Sequence, residues 1–173
     1  MKTISQLFLE ALRKRRERHF QYFYLAIDVH GTLFYPSKQT KIDQNGSETI
    51  LKIDQSDYMA IYPWAIPTLQ ILTQTNSCKL ILWTSTKSDR VNVYRKYLEK
   101  NGVKVAYVNE NPDFIGNEYS DFSRKFCFDL LLDDKAGFDP ENDWHELFKL
   151  VTETDWESFY KSIDSLVNSN SSI

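Results

Sequence analysis

Three aspartates stand at the ends of largely apolar runs: Asp28 after Tyr22 to Ile27, and the pair Asp133 and Asp134 after Phe128 to Leu132. A third run, Lys79 to Trp83, ends in Thr84, Ser85 and Thr86. Carboxylates gathered at one place repel and raise one another's pKa values, so they call for a cation. Oxygen-only ligands favour Mg²⁺, which keeps several waters and commonly sits beside a phosphate. A carboxylate beside Mg²⁺ can attack phosphorus and form an aspartyl-phosphate. Such an attack needs donors for the phosphoryl oxygens, and the Thr84 hydroxyl, nearby backbone N–H groups and a cation such as Lys125 are candidates. Arg124 and Lys135 are other cations nearby, and a lysine on a loop is commonly just solvated, which is the alternative reading of Lys125. Gly31 lets the backbone pass near a phosphate without a Cβ in the way. His19, His30 and His145 are scattered, and no zinc spacing competes.

The elements that must position these residues follow from periodicity. Ile4, Leu7, Phe8, Ala11 and Leu12 mark one face of a helix running to about His19, started by Thr3 or Ser5. Tyr22 to Ile27 is long, apolar and aromatic enough for a buried strand. Residues 34–62 are polar and read as a hairpin flap, with Asn45-Gly46 as the turn between Lys41 to Asp43 and Thr49 to Ile53. A helix then begins around Pro63 to Pro67 and reaches about Thr75, before the second strand at Lys79 to Thr84. The next helix, Lys87 to Lys100, is stopped by Asn101-Gly102. A strand from Val103 to Val108, a loop over 109–122 and a strand from Phe128 to Leu132 follow. Helices over 142–151 and 154–168 complete the pattern, with a frayed tail at 169–173. Alternating strands and helices predict an α/β fold with a doubly wound parallel sheet. Ligands in such sheets bind outside the carboxyl ends of the strands, where the strand order reverses. Asp28, Thr84 and Asp133 should therefore converge.

Response-regulator receiver domains use a similar kit, with the acidic pair first in the chain and the phosphoacceptor later. Here the lone aspartate comes first. In that order the sequence resembles the haloacid dehalogenase-like (HAD) superfamily of phosphatases, whose first motif is an apolar strand followed by Asp-x-Asp-Gly-Thr. The matching stretch is Leu25-Ala26-Ile27-Asp28-Val29-His30-Gly31-Thr32-Leu33. The second motif matches Leu80 to Thr84 and Ser85, the third is met by Lys125, and the fourth by Asp129 to Asp134. The resemblance implies a Rossmannoid core with a minimal cap. It implies Asp28 as nucleophile and metal ligand, Thr84 as phosphoryl holder and Lys125 as neutralising cation. Asp133 and Asp134 would serve the Mg²⁺, with the His30 backbone carbonyl a further ligand. His30 stands where the family usually carries an acid/base aspartate. An imidazole can serve there; held neutral and turned away, it leaves a Mg²⁺- and phosphate-binding module with impaired turnover. The implied activity is Mg²⁺-dependent phosphomonoester hydrolysis, or hydrolysis of nucleotide or nucleic-acid phosphates as an alternative.

Several residues keep two readings. Lys87 and Arg90 lie at a helix N-terminus suited to a substrate anion, and serve equally as surface charges. Thr32 and Ser85 flank the motifs as further substrate contacts. Trp83, Tyr35, Tyr62 and Trp64 are favoured as core, with base stacking as the alternative.

The chain has 173 residues, 42% of them hydrophobic, enough for one domain with a real core. A net charge of −3 argues against a strongly basic nucleic-acid protein and a highly charged disordered chain. No apolar run is long enough for a membrane span, and no export signal is evident, so a cytoplasmic protein with no membrane partner is expected. Cys78 and Cys127 read as free thiols. The division expected is a basic amphipathic helix over 1–20, a single domain over 21–168, and the tail. Arg13-Lys14-Arg15-Arg16 is read first as the solvated side of a docked helix. Contact with nucleic acid or another acidic partner, and self-association, are the alternatives. The expected main partner is a phosphorylated small molecule, nucleotide or phosphoprotein.

Overall fold

The strand β1 (Phe23–Asp28) lies between two parallel neighbours, β5 (Cys78–Trp83) and β7 (Leu130–Leu132), and β6 (Val105–Val108) extends the sheet beyond β5. The computed structural model describes residues 2–37, 50–52, 58–74, 77–114, 122 and 126–170. The remaining elements are α1 (Ile4–Glu17), β2 (Phe34–Pro36), β3 (Ile50–Lys52), β4 (Tyr58–Ile61), α2 (Ala65–Gln74), α3 (Ser88–Lys100), α4 (Asp143–Glu153) and α5 (Trp156–Asn170). The order β6-β5-β1-β7 reverses at β1: the chain builds outward through β5 and β6, then returns to the other side for β7. This is the Rossmann-like α/β sheet predicted from the alternation of elements.

Both faces of β1 are buried because its residues alternate between two cores. Leu25 and Ile27 join Leu80, Leu82 and Leu132 against Phe8 of α1, Leu69 of α2, Tyr94 and Leu98 of α3, and Trp144 and Leu147 of α4. Tyr24, Ala26 and Ile81 face the other way, where Tyr107, Phe114, Phe126 and Phe128 cover them. Among the described residues, helices pack on the first face, and aromatic side chains from the segment joining β6 to β7 close the second. That segment is anchored by Asp113, which accepts from Lys79 Nζ at 2.6 Å, Tyr24 OH at 2.7 Å and Tyr107 OH at 2.7 Å. Burial pushes its carboxyl up, but the Lys79 ammonium and the two phenols outweigh it and hold the pKa at about 2. This stabilisation is complete above the ordinary carboxylate range and is lost as pH falls through that range toward 2. The thermal midpoint should therefore drop more steeply between pH 5 and 2 in the wild type than in Asp113→Asn, as differential scanning calorimetry would register.

The fourth strand begins two residues later than its apolar pattern suggested. The Asp129 carboxylate accepts the Tyr24 N–H at 2.8 Å, taking a donor that the ladder would otherwise use. The flap contains an antiparallel sheet in the order β2-β4-β3. Ile50–Lys52 of the predicted hairpin pairs with Tyr58, Met59 and Ala60; its Asn45-Gly46 turn lies outside the described residues.

Helix α1 has a full capping box at Thr3 and Gln6 and belongs to the main core rather than standing apart. Its basic run is largely engaged. Arg15 is buried, donates to the Tyr22 carbonyl, lies 3.5 Å from Asp129 and stacks 3.9 Å over the Phe20 ring. Arg16 forms two 2.8 Å bonds to Asp164 of α5. Lys14 and Arg18 remain exposed. Cys78 and Cys127 are unpaired, and burial pushes the Cys78 thiol up to about 12. Among the described residues, no helix is long and apolar enough to cross a membrane.

Candidate active site

Parallel pairing of β1 with β7 places Ile27 opposite Leu132, so the next residues, Asp28 and Asp133, leave the sheet side by side. Asp134 joins them, and one carboxylate oxygen from each of the three lies within 4.8 Å of the others. Burial raises the Asp28 pKa; the Val29 N–H opposes this, while Asp133 and Asp134 add to it. An oxygen-only set with this mutual repulsion fits a hard divalent cation such as Mg²⁺.

The acidic pair is held from below. The Asp133 side chain accepts the Lys135 N–H at 2.8 Å and caps a short 3₁₀ turn over Asp134–Ala136. The Asp134 N–H donates to Thr32 Oγ1 at 2.9 Å. Thr32 is fully buried, so it cannot meet a substrate as its position in the motif suggested; it orients Asp134 instead. Gly31 also differs from expectation. Its φ is +83°, and a Cβ there would lie 3.0 Å from the Asp134 carboxylate, so the space it leaves is filled by Asp134. Gly31→Ala should cost about 1–2 kcal/mol of stability through the left-handed backbone alone. It should also displace Asp134 and weaken Mg²⁺ binding, measurable as a smaller Mg²⁺-induced rise in thermal midpoint.

Thr84, buried at the end of β5, is fixed by a reciprocal pair: its N–H donates to Asn109 Oδ1 at 2.8 Å, and Asn109 Nδ2 donates to the Thr84 carbonyl at 2.6 Å. Thr84 Oγ1 donates to Thr86 Oγ1 at 2.9 Å. Thr86 Oγ1 in turn lies 3.2 Å from His30 Nδ1, while His30 Nε2 lies 2.9 Å from the hydroxyl of Tyr94, whose side chain is buried. A hydrogen-bonded chain therefore runs from Thr84 through Thr86 and His30 to Tyr94. Thr86, Tyr94 and Asn109 carry no motif signal. Only the i, i+2 spacing of Thr84 and Thr86 hinted at the first of them.

Asp28, Thr84, Ser85, Asp133 and Lys135 line a cavity of about 830 Å³, together with Trp83, Phe114 and Phe126. His30, Lys87 and Arg90 do not line it, and Lys125 lies outside the described residues. Lys87 N-caps α3 without a side-chain hydrogen bond, and Arg90 follows in its first turn; both are exposed. Trp83, favoured as core, is 39% exposed because β5 ends there and the side chain projects past the sheet. Trp64 is likewise exposed and stacks on His145 and Phe148, while Tyr35 and Tyr62 pack on each other.

Fold and site together define an α/β protein with a Rossmann-like sheet and a carboxylate cluster where its strand order reverses. No family model matches the sequence, and no curated protein does. Among solved structures, a conserved protein coded by a locus of Bacteroides thetaiotaomicron is similar at 24% identity. The match covers 76% of this chain and 91% of that one, with a TM-score of 0.47.

Proposed function

We propose that this chain is a Mg²⁺-dependent phosphomonoester hydrolase of the HAD-like type, working through an aspartyl-phosphate on Asp28. The observation that carries the reading is the clustering of Asp28 with Asp133 and Asp134, two of which, Asp28 and Asp133, line one cavity together with Thr84. An Asp28 oxygen attacks phosphorus, the ester P–O bond breaks, and its electron pair stays on the alcohol oxygen, which takes a proton. Water then attacks the phosphorus, the bond to Asp28 breaks, and the carboxylate is restored as the water's proton passes to a base. Mg²⁺, when bound, offsets the charge of the carboxylates and the phosphoryl oxygens. The Thr84 hydroxyl, turned from Thr86 Oγ1 toward the phosphoryl oxygens, and neighbouring backbone N–H groups orient the phosphoryl group, with Lys125 or Lys135 as the neutralising cation. Mg²⁺-dependent release of aryl alcohol from an aryl phosphate, lost on chelation, is the expected result; no hydrolysis at any Mg²⁺ concentration would remove the reading.

One observation favours a second reading, a Mg²⁺- and phosphate-binding module with slow turnover. Both ring nitrogens of His30 are engaged, by Thr86 and by Tyr94, and the ring does not line the cavity. His30→Asp separates the two. A rise in turnover of about 10²-fold or more marks a site short of an acid/base group; a fall marks His30 as that group.

A further inference from the structure

We infer that the cavity beside Asp28 takes the base of a nucleoside monophosphate carrying an exocyclic amino group, stacked on Trp83 and read by Glu110. This rests on the phosphomonoesterase reading and names its substrate class. The size of the space is the first reason. At about 830 Å³ the cavity falls in the range of sites that enclose a drug-sized ligand, and a phosphate with a short alkyl group leaves most of it unfilled.

The second reason is the wall. Trp83 directly precedes Thr84 and lines the cavity; its indole meets Phe126 edge-on with ring centroids 5.0 Å apart and stays 39% exposed. Phe114 stands in the same wall. A large exposed ring one residue from the phosphoryl-holding threonine is placed to stack on a planar group attached to that phosphate.

The third reason is the polar lining. Asn109 is occupied with Thr84, and Asn111 donates to the Cys127 carbonyl at 2.7 Å and accepts the Asp113 N–H at 3.3 Å. Glu110 is exposed in the lining and has no hydrogen-bond partner among the described residues. A carboxylate only accepts, so it selects a ring that presents N–H donors and disfavours one that presents carbonyl oxygens. With Asp28 and Asp133 also in the lining, and Lys135 its one cation among the described residues, a second phosphate is disfavoured too. The fitting ligand is a monophosphate with an amino-bearing base.

Calorimetric titration of the full-length Asp28→Asn protein in Mg²⁺ tests this without turnover. The probes are AMP, CMP, IMP, UMP, ribose 5-phosphate and O-phosphotyrosine. AMP and CMP should bind at least about tenfold more tightly than ribose 5-phosphate. AMP should outbind IMP, and CMP outbind UMP, by about fivefold or more. Adding Trp83→Ala should close the gap to ribose 5-phosphate, and adding Glu110→Gln should erase the amino-over-oxo preference. Equal binding of ribose 5-phosphate and the nucleotides overturns the proposal whether or not either second variant folds. So does O-phosphotyrosine binding as tightly as AMP. Release of phosphate from AMP, CMP and an aryl phosphate by the wild type is scored separately. Hydrolysis without a base preference in binding sinks the base site alone, whereas a base preference with none of these esters hydrolysed sinks the phosphatase reading and leaves the base site.

Discussion

The substitution Asp28→Asn should lower kcat for an aryl phosphate by at least about 10³-fold, because an amide of the same shape is a far poorer nucleophile than a carboxylate. The loss should not come from unfolding. Asp28 sits half-buried against two further carboxylates, and burial has already pushed its carboxyl upward. A neutral amide relieves that repulsion, so the thermal midpoint in metal-free buffer should hold or rise. Added Mg²⁺ should then stabilise the variant less than the wild type, since one of the three carboxylates proposed to hold it would be neutral. Steady-state kinetics with thermal scans in EDTA and in Mg²⁺ read all three outcomes. A kcat within tenfold of wild type would exclude Asp28 as the nucleophile.

Trp144→Ala should lower the unfolding free energy by about 3–5 kcal/mol, in the range for removing a large buried aromatic side chain. Trp144 is fully buried in the main core, packs edge-on to Phe138 at 5.2 Å, and donates its indole N–H to the Thr32 carbonyl at 2.8 Å. That bond ties α4 to the loop carrying Gly31 and Thr32, and Thr32 in turn holds Asp134. The damage should therefore reach the site: Mg²⁺ affinity should fall in the protein that remains folded. Trp144→Phe keeps part of the packing and loses the hydrogen bond, so it should fall between the two in urea denaturation. An alanine variant within about 1 kcal/mol of wild type would contradict the packing account.

Much of the fold was legible because strands buried on both faces and helices with one apolar face leave different periods. The helices ending near Lys100 and starting near Asp143 and Trp156, and the central strands, fall within a few residues of their predicted limits. The strand before Asp133 is shorter than its apolar run because the Asp129 side chain takes the Tyr24 N–H. The convergence of Asp28, Thr84 and Asp133 was also legible, since strand ends in a parallel sheet lie along one edge.

Roles within that edge were less legible. Sequence order cannot tell a glycine that clears space for a ligand from one that clears space for Asp134, and Gly31 does the latter. Nor can it reveal that Thr32 is sealed beneath Trp144, or that Tyr94, 64 residues away, meets His30.

Arg15 and Trp83 depart from their sequence patterns in opposite directions for one physical reason. Arg15 looked like part of a solvated charge run, yet it is buried among Phe20, Tyr24 and Asp129. Trp83 looked like core, yet it projects into a cavity. Residue type and spacing determined the sheet, the order of its elements and the aspartates at its edge, because these depend on local periodicity and on the connection rules of parallel strands. Which side chains are buried, which are spent on one another, and which face an open cavity were decided only by the tertiary structure. Those properties belong to pairs of residues distant in the chain, and no local pattern records them.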